Sequence, residues 1–213
     1  MASDTPEKKP APKRRRTPSY VKNLRGVRNW KEAREWLQWR SIEDVEAMTP
    51  DLAGVPRGKM MPSVKFTTET SLALPNAVFR QTITGDYPEE TDEFQHDPLD
   101  SDLKLMPDLS TLSVVPWETD PTAQVICDIV STSGKPILYT PRNLLRHVMG
   151  LYDAKGWKAV VAPEIEFYLV AQNIDPDYPL QTPKGRSGRS VSGGQGYSIA
   201  GINEFDELVD DIY

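Results

Sequence analysis

The sharpest chemical feature of this sequence is a pair of carboxylates one residue apart. In Ala162-Pro163-Glu164-Ile165-Glu166-Phe167-Tyr168-Leu169 acidic and apolar residues alternate. In a strand, Glu164 and Glu166 would project to one face while Ile165 and Phe167 took the other. Carboxylates held side by side repel each other and favour a divalent cation between or beside them, and hard Mg²⁺ or Mn²⁺ prefers oxygen ligands. The alternative is a solvated strand face, which is what most Glu-x-Glu strands are. Spacing alone favours that alternative.

Other chemistry-bearing residues are weaker candidates. Cys127, His96 and His147 are the whole Cys and His complement, too few for a Cys/His zinc site or an internal disulfide. Gly185-Arg186-Ser187-Gly188-Arg189 has the composition of a phosphate-binding turn. Its spacing matches neither the phosphate-binding loop nor the dinucleotide fingerprint, so a mobile linker is the better reading of Pro183 to Gly196. Trp30, Trp36 and Trp39 lie close enough to form a stacking platform for bases, yet packing onto a core is the commoner use. Arg57 and Lys59 read equally well as hairpin charges, and Asp108 as the organiser of the turn after Pro107.

The elements that would position these residues follow from periodicity. Lys158 to Val170 is expected to be the strand carrying the glutamate pair. Before it, Thr140 as N-cap, Pro141 at the first helical position and the stripe Leu144, Leu145, Val148, Leu151 and Tyr152 predict a helix closed by Gly156. Strict alternation of Ala123, Val125, Cys127 and Ile129 predicts a strand over Thr122 to Ser131. Asp102 to Val115, Ile42 to Leu52 and Met60 to Thr68 read as further strands, the last two joined as a hairpin through Gly54-Val55-Pro56-Arg57-Gly58. Pro50 lacks a ladder donor, which predicts an edge or bulged position. Short helices are expected over Trp30 to Trp39 and near Leu74 to Gln81, and Phe205, Leu208, Val209 and Ile212 form a last helical stripe. Gly85 to Ser101 reads as an acidic loop. Together these elements predict an α+β fold.

Composition limits the partners. Residues 1 to 28 hold nine Lys/Arg against two acids, a net +7, while the remainder holds sixteen against twenty-nine, a net of −13. So acidic a body disfavours nucleic acid and anionic membrane, and confines polyanion binding to the leader. The 19 prolines and 26% charged residues mark segments outside any core. Residues 1 to 22, basic and proline-rich, are read as a disordered leader and 23 to 40 as a helical lead-in. No apolar run reaches the roughly 18 to 20 residues of a membrane span, and the leader lacks a secretory signal's apolar stretch. The simplest expectation is a cytoplasmic protein with no membrane partner.

Several phrases occur in a telling order: Gly54-Val55-Pro56-Arg57-Gly58-Lys59, Leu105-Met106-Pro107-Asp108-Leu109-Ser110-Thr111, Val115-Pro116-Trp117, Thr122-Ala123-Gln124-Val125-Ile126-Cys127-Asp128 and Pro163-Glu164-Ile165-Glu166-Phe167-Tyr168. From about Val45 to Tyr213 this order resembles the glutamine synthetase family. Pro116-Trp117 followed by Pro121-Thr122-Ala123-Gln124-Val125 looks closer to its γ-glutamylpolyamine synthetase branch.

The resemblance implies a β-grasp domain over 41 to 139 and, over 140 to 213, the beginning of a glutamine-synthetase-type catalytic domain, truncated. It implies Glu164 and Glu166 as ligands of Mg²⁺ or Mn²⁺, and Asp86 as the acidic catalytic residue receiving the amine, although the loop departs from the family's Asp-Gly-Ser-Ser pattern. The family transfers the γ-phosphoryl group of ATP, its co-substrate, to the side-chain carboxylate of glutamate. Ammonia or an amine, here with a polyamine favoured, then displaces phosphate. Family sites form between subunits of a homo-oligomeric ring. The nucleotide-binding residues are expected beyond Tyr213, so this chain alone is expected to lack ligase activity. Two alternatives are a noncatalytic subunit-interaction fragment and a module whose basic leader docks an acidic partner.

Overall fold

The structure is a computed structural model describing residues 19–87, 102–175, 177–191 and 196–212. It divides into two compact units, Met1–Ala159 and Val160–Tyr213.

The first unit is organised by one helix against one mixed sheet. Helix α1 (Trp30–Trp39) starts at Asn29, whose side chain accepts from the Glu32 backbone N–H at 3.0 Å, while Glu32 accepts in turn from the Arg28 backbone N–H at 2.9 Å. That reciprocal pattern satisfies donors a helix start leaves unpaired. Ala33, Trp36 and Leu37 form its buried face, and they meet β1 (Asp44–Pro50) and β2 (Pro56–Pro62), a hairpin in which Val45 opposes Met61. Of the three tryptophans, Trp36 is in the core, Trp30 packs on Phe66 with ring centroids 5.2 Å apart, and Trp39 is exposed. The packing reading holds for Trp36 and Trp30 but not for Trp39, and no joint platform forms.

Met60 to Thr68 is not one strand. β2 ends at Pro62, and α2 (Ser63–Thr68) turns Phe66 into the core, where a continued strand would leave its ring outside. β3 (Leu72–Pro75) runs into a 3-10 turn over Asn76–Arg80 where the sequence predicts a helix. The strand expected over Asp102 to Val115 is broken in the same way. β4 (Asp102–Pro107) stops at a proline, Asp108 caps a 3-10 turn, and β5 (Ser113–Val114) resumes. β6 (Thr122–Val130) buries Ala123, Val125, Cys127 and Ile129 as alternation requires.

The sheet order is β2-β1-β6-β4-β3, with β5 beside β6; β1 and β6 are parallel and the other pairs antiparallel. β1 is therefore an internal strand, but at Pro50 itself it pairs with β2 alone, in keeping with the edge or bulged position that the proline predicts. The proline is tolerated because the ladder with β6 spans only Asp44 to Met48. Helix α3 (Pro141–Asp153) follows as expected from its sequence, but the Thr140 hydroxyl donates to the Ile137 carbonyl at 2.7 Å rather than capping the helix. Its first turn docks through polar groups. Asn143 donates to the Ile129 carbonyl at 2.6 Å, and Arg142 bridges Asp108 at 2.6 Å and Asp128 at 2.8 Å. Leu144, Leu145 and Leu151 remain exposed.

Gly58 fixes the β1–β2 approach, since a Cβ there would lie 1.9 Å from the Ala47 carbonyl oxygen. Gly58→Ala is expected to cost about 2 to 3 kcal/mol through forced backbone movement. Gly54→Ala, at φ +82° but with open space around it, should cost only about 1 kcal/mol. Urea denaturation of both proteins compares the two, and equal midpoints would contradict the clash.

The second unit contains α4 (Ile199–Asn203) and α5 (Asp206–Ile212) and no strand among its described residues. The glycine- and arginine-containing segment is not a free linker where it is described. Lys184 bridges Ser190, Arg186 pairs with Asp206 at 2.9 Å, and the Glu204 carboxylate accepts from the Ser187 backbone N–H at 3.0 Å. Residues 1–18 of the leader, 88–101 of the acidic loop with His96, and 192–195 lie outside the described residues.

Candidate functional site

Glu164 and Glu166 lie in the second unit, on a stretch with no ladder partner. The strand expected over Lys158 to Val170 does not form. Its alternation is correct, but strand hydrogen bonds need a neighbour, and none is present among the described residues. Consequently Ile165 is 87% exposed and Phe167 60% exposed, on what should be the buried face. Both glutamates are exposed and make no side-chain hydrogen bond or ion pair among the described residues. Two free carboxylates suit a hard divalent ion chemically. No group of three or more His, Cys, Asp or Glu residues gathers to hold one among the described residues. The pair therefore fits as part of a coordination sphere, because Mg²⁺ takes about six oxygen ligands.

Asp86 belongs to the first unit and closes a small turn. Its backbone carbonyl accepts from the Thr82 N–H at 2.8 Å, its carboxylate accepts from the Thr84 hydroxyl at 2.9 Å, and Gly85 adopts φ +88° between them. Arg57 reaches the same turn, with one guanidinium nitrogen 3.4 Å from the Thr82 carbonyl and Nε donating to Asp51 at 2.9 Å. Arg57 thus ties the β1–β2 hairpin to the loop holding Asp86. Lys59 makes no ion pair among the described residues.

Asp51, 1% exposed, is the residue sequence reasoning missed here. Its carboxylate accepts from the backbone N–H groups of Ala53 at 2.9 Å and Val55 at 2.8 Å as well as from Arg57. Burial pushes its carboxyl up, but hydrogen bonds from Arg57, Val55 and Ala53 outweigh this and hold it below the usual carboxylate range. An aspartate three residues before a turn glycine was the available signal.

Asp108 organises the turn as read from the sequence, but its ion-pair cluster with Asp128, Arg142 and Arg146 was missed, with Arg146 at 2.5 Å from Asp128. Burial raises the Asp108 carboxyl, and hydrogen bonds from Ser110 and Arg142 overcome it, leaving a net lowering. Arginines at i and i+4 on one helix were legible. Their acidic partners, distant in sequence, were not. Cys127 offers no nucleophile, since burial and the neighbouring Asp128 push its thiol up to about 12.

Comparison with known proteins covers most of the chain, and the family model its later part. Residues 138–213 match the family described as glutamine synthetase, catalytic domain. Over 146 residues, 67% of this chain and 32% of the relative, 33% are identical to a glutamate–isopropylamine ligase from a Pseudomonas species. A gamma-glutamylputrescine synthetase of Escherichia coli is 30% identical over 88% of this chain and 40% of its own length. A glutamine synthetase of Methanococcus maripaludis is 44% identical over 34% of the chain and 17% of its own. The chain thus spans less than half the length of these curated relatives. With amine-using ligases and glutamine synthetases both among its relatives, this chain belongs to the glutamine synthetase family, with the polyamine branch close.

Proposed function

We propose that the chain forms part of an ATP-dependent ligase that joins the γ-carboxylate of glutamate to ammonia or an amine through γ-glutamyl phosphate, with a polyamine as the favoured acceptor. The observation that carries this reading is the catalytic-domain match over residues 138–213, which contains the Glu164–Glu166 pair, exposed and without an ion pair among the described residues. In this reading the sheet of the first unit is the family's β-grasp module, and neighbouring copies assemble in a ring. Glu164 and Glu166 contribute oxygen ligands to Mg²⁺ or Mn²⁺. That ion, when bound, neutralises charge on ATP and on the carboxylate that attacks it. Asp86, held by Thr84, would receive the proton or positive charge of the incoming amine.

Two measurements test it. Glutamate, ATP and a panel of ammonia, monoamines and polyamines, supplied to the protein purified from its natural source cells, should yield ADP and a γ-glutamyl amide. No amide with any amine would overturn the reading. The 24.0 kDa chain alone should give no product, since its carboxylate pair fills only part of a metal's coordination sphere. It should still bind Mn²⁺ weakly, and Glu164→Gln or Glu166→Gln should reduce that affinity by about tenfold, because each removes a charged ligand. Unchanged Mn²⁺ affinity in both variants would remove the pair from the metal role.

A second reading has its own support. Leu144, Leu145 and Leu151 on α3 and, separately, Ile165, Phe167 and Tyr168 in the second unit are exposed large apolar side chains, the kind of surface that subunit contacts cover. A noncatalytic subunit-interaction role would use those faces. It predicts concentration-dependent assembly without turnover.

A further inference from the structure

Helix α3 is joined to the sheet of the first unit almost wholly by polar contacts. Of its 13 residues only Asn143 is buried, and none belongs to the apolar core cluster. Leu144, Leu145, Val148 and Leu151 are between 38% and 62% exposed, so little apolar burial opposes movement of the helix.

What holds it is a pin and a charged clasp. The pin is Asn143, which donates to the Ile129 carbonyl at 2.6 Å and to the Ile137 carbonyl at 3.1 Å. The clasp sets two acids on the sheet against two bases on the helix. Asp128 lies on β6, and Asp108 follows β4, the strand whose Met106 pairs with Asp128. Arg142 reaches Asp108 at 2.6 Å and Asp128 at 2.8 Å, while Arg146, one turn on, reaches Asp128 at 2.5 Å and Asp108 at 3.9 Å. Asp108 also accepts from the backbone N–H and the hydroxyl of Ser110. Neighbouring carboxylates repel each other, and each arginine bridges both, so the four charges cancel only while α3 is seated. The side chains of both acids and of Arg142 are 23 to 24% exposed and that of Arg146 is 53% exposed. Salt therefore reaches the clasp, as it does not reach the apolar core.

We infer that the Asp108–Asp128–Arg142–Arg146 cluster is a releasable clasp, whose opening lets α3 swing from the sheet about Asn143 while the sheet stays folded. An element with few buried apolar contacts opens locally at a lower free energy than the core around it. Since α3 is the first helix of the stretch that matches the catalytic-domain family, the clasp governs how that stretch is seated at its start. The inference rests on these contacts and does not require the ligase reading.

The test is hydrogen exchange followed by mass spectrometry on the full chain, comparing peptides from α3 with peptides from β1 and β6. Exchange is measured at about 0.1 M and about 1 M NaCl, between which the screening length falls from roughly 10 Å to roughly 3 Å. At the lower salt α3 should be protected, and at the higher its exchange should rise about tenfold while β1 and β6 keep their protection. In the double variant Arg142→Gln/Arg146→Gln the helix should exchange at the high-salt rate under both conditions, because the charges that salt screens are gone. The salt series on the parent protein decides the matter by itself should that variant not fold. An α3 unprotected at the lower salt, exchange in the parent indifferent to salt, or protection lost from α3 and β6 together would overturn the inference. So would a salt response that persists in the folded double variant, since the clasp could not be its source.

Discussion

A Trp36→Ala protein is expected to lose about 3 to 5 kcal/mol of stability in the first unit, the usual cost of truncating a fully buried aromatic. Trp36 is completely buried in the core, with the Arg40 guanidinium 4.1 Å from its ring centroid, so truncation removes a full ring's packing and that cation–π contact together. The indole N–H donates to the Asn23 carbonyl at 2.9 Å, but that carbonyl also accepts from Arg40 at 2.6 Å. Trp36→Phe, which gives up that hydrogen bond and part of the ring volume, should therefore cost only about 1 to 2 kcal/mol. Urea unfolding followed by near-ultraviolet circular dichroism separates the two contributions. Equal losses in both variants would place the stabilisation in the hydrogen bond and not in the buried ring.

Trp36 also shows what was legible in the sequence. Its helix could be read because helical composition is a local signal, and the Asn29 cap with Glu32 three residues later, which the structure shows, is local too. The β1–β2 turn and the alternation of β6 were legible for the same reason. The proline-terminated strands were less so: Met60 to Thr68 and Asp102 to Val115 each read as one extended run, yet Pro62 and Pro107 end the strands and the chain turns to bury Phe66 and Leu112. Propensity cannot foresee a direction that only the distant core rewards.

The glutamate pair illustrates a different limit. Alternation correctly separates Glu164 and Glu166 from Ile165 and Phe167, but a strand exists only where a second strand accepts its hydrogen bonds. Residues 158 to 170 therefore have strand sequence without a ladder among the described residues. Metal chemistry has the same non-local character. Two ligands can be read from spacing, and the rest of the coordination sphere depends on which other oxygens the fold brings near. Asp51 was hidden for the opposite reason: its partners are close in sequence, but its importance comes from burial, which one aspartate in a turn does not announce.

Asp51→Ala is expected to cost about 3 kcal/mol, because it strands the Arg57 guanidinium and removes the acceptor of two backbone N–H groups. Asp51→Asn keeps an oxygen for Ala53 and Val55 but presents an amide to Arg57 where a carboxylate stood, and should cost about half as much. The pH dependence distinguishes them further. The folded Asp51 carboxyl lies below its ordinary value, so the unfolded chain takes up its proton first as the pH falls. The stability Asp51 contributes is therefore complete above the unfolded value of about 4 and declines as the pH drops through the lower folded value. Both variants should lose this part of the acid destabilisation, so their stability gap from the parent protein narrows below about pH 4. Because Arg57 also donates to the Thr82 carbonyl, losing its anchor should loosen the turn that holds Asp86. Hydrogen exchange at the Thr82 and Gly85 amides should rise in Asp51→Ala more than in Asp51→Asn. If exchange there stays at the parent level while global stability falls, Asp51 holds the hairpin alone, and the positioning of Asp86 has to come from Thr84 and Gly85.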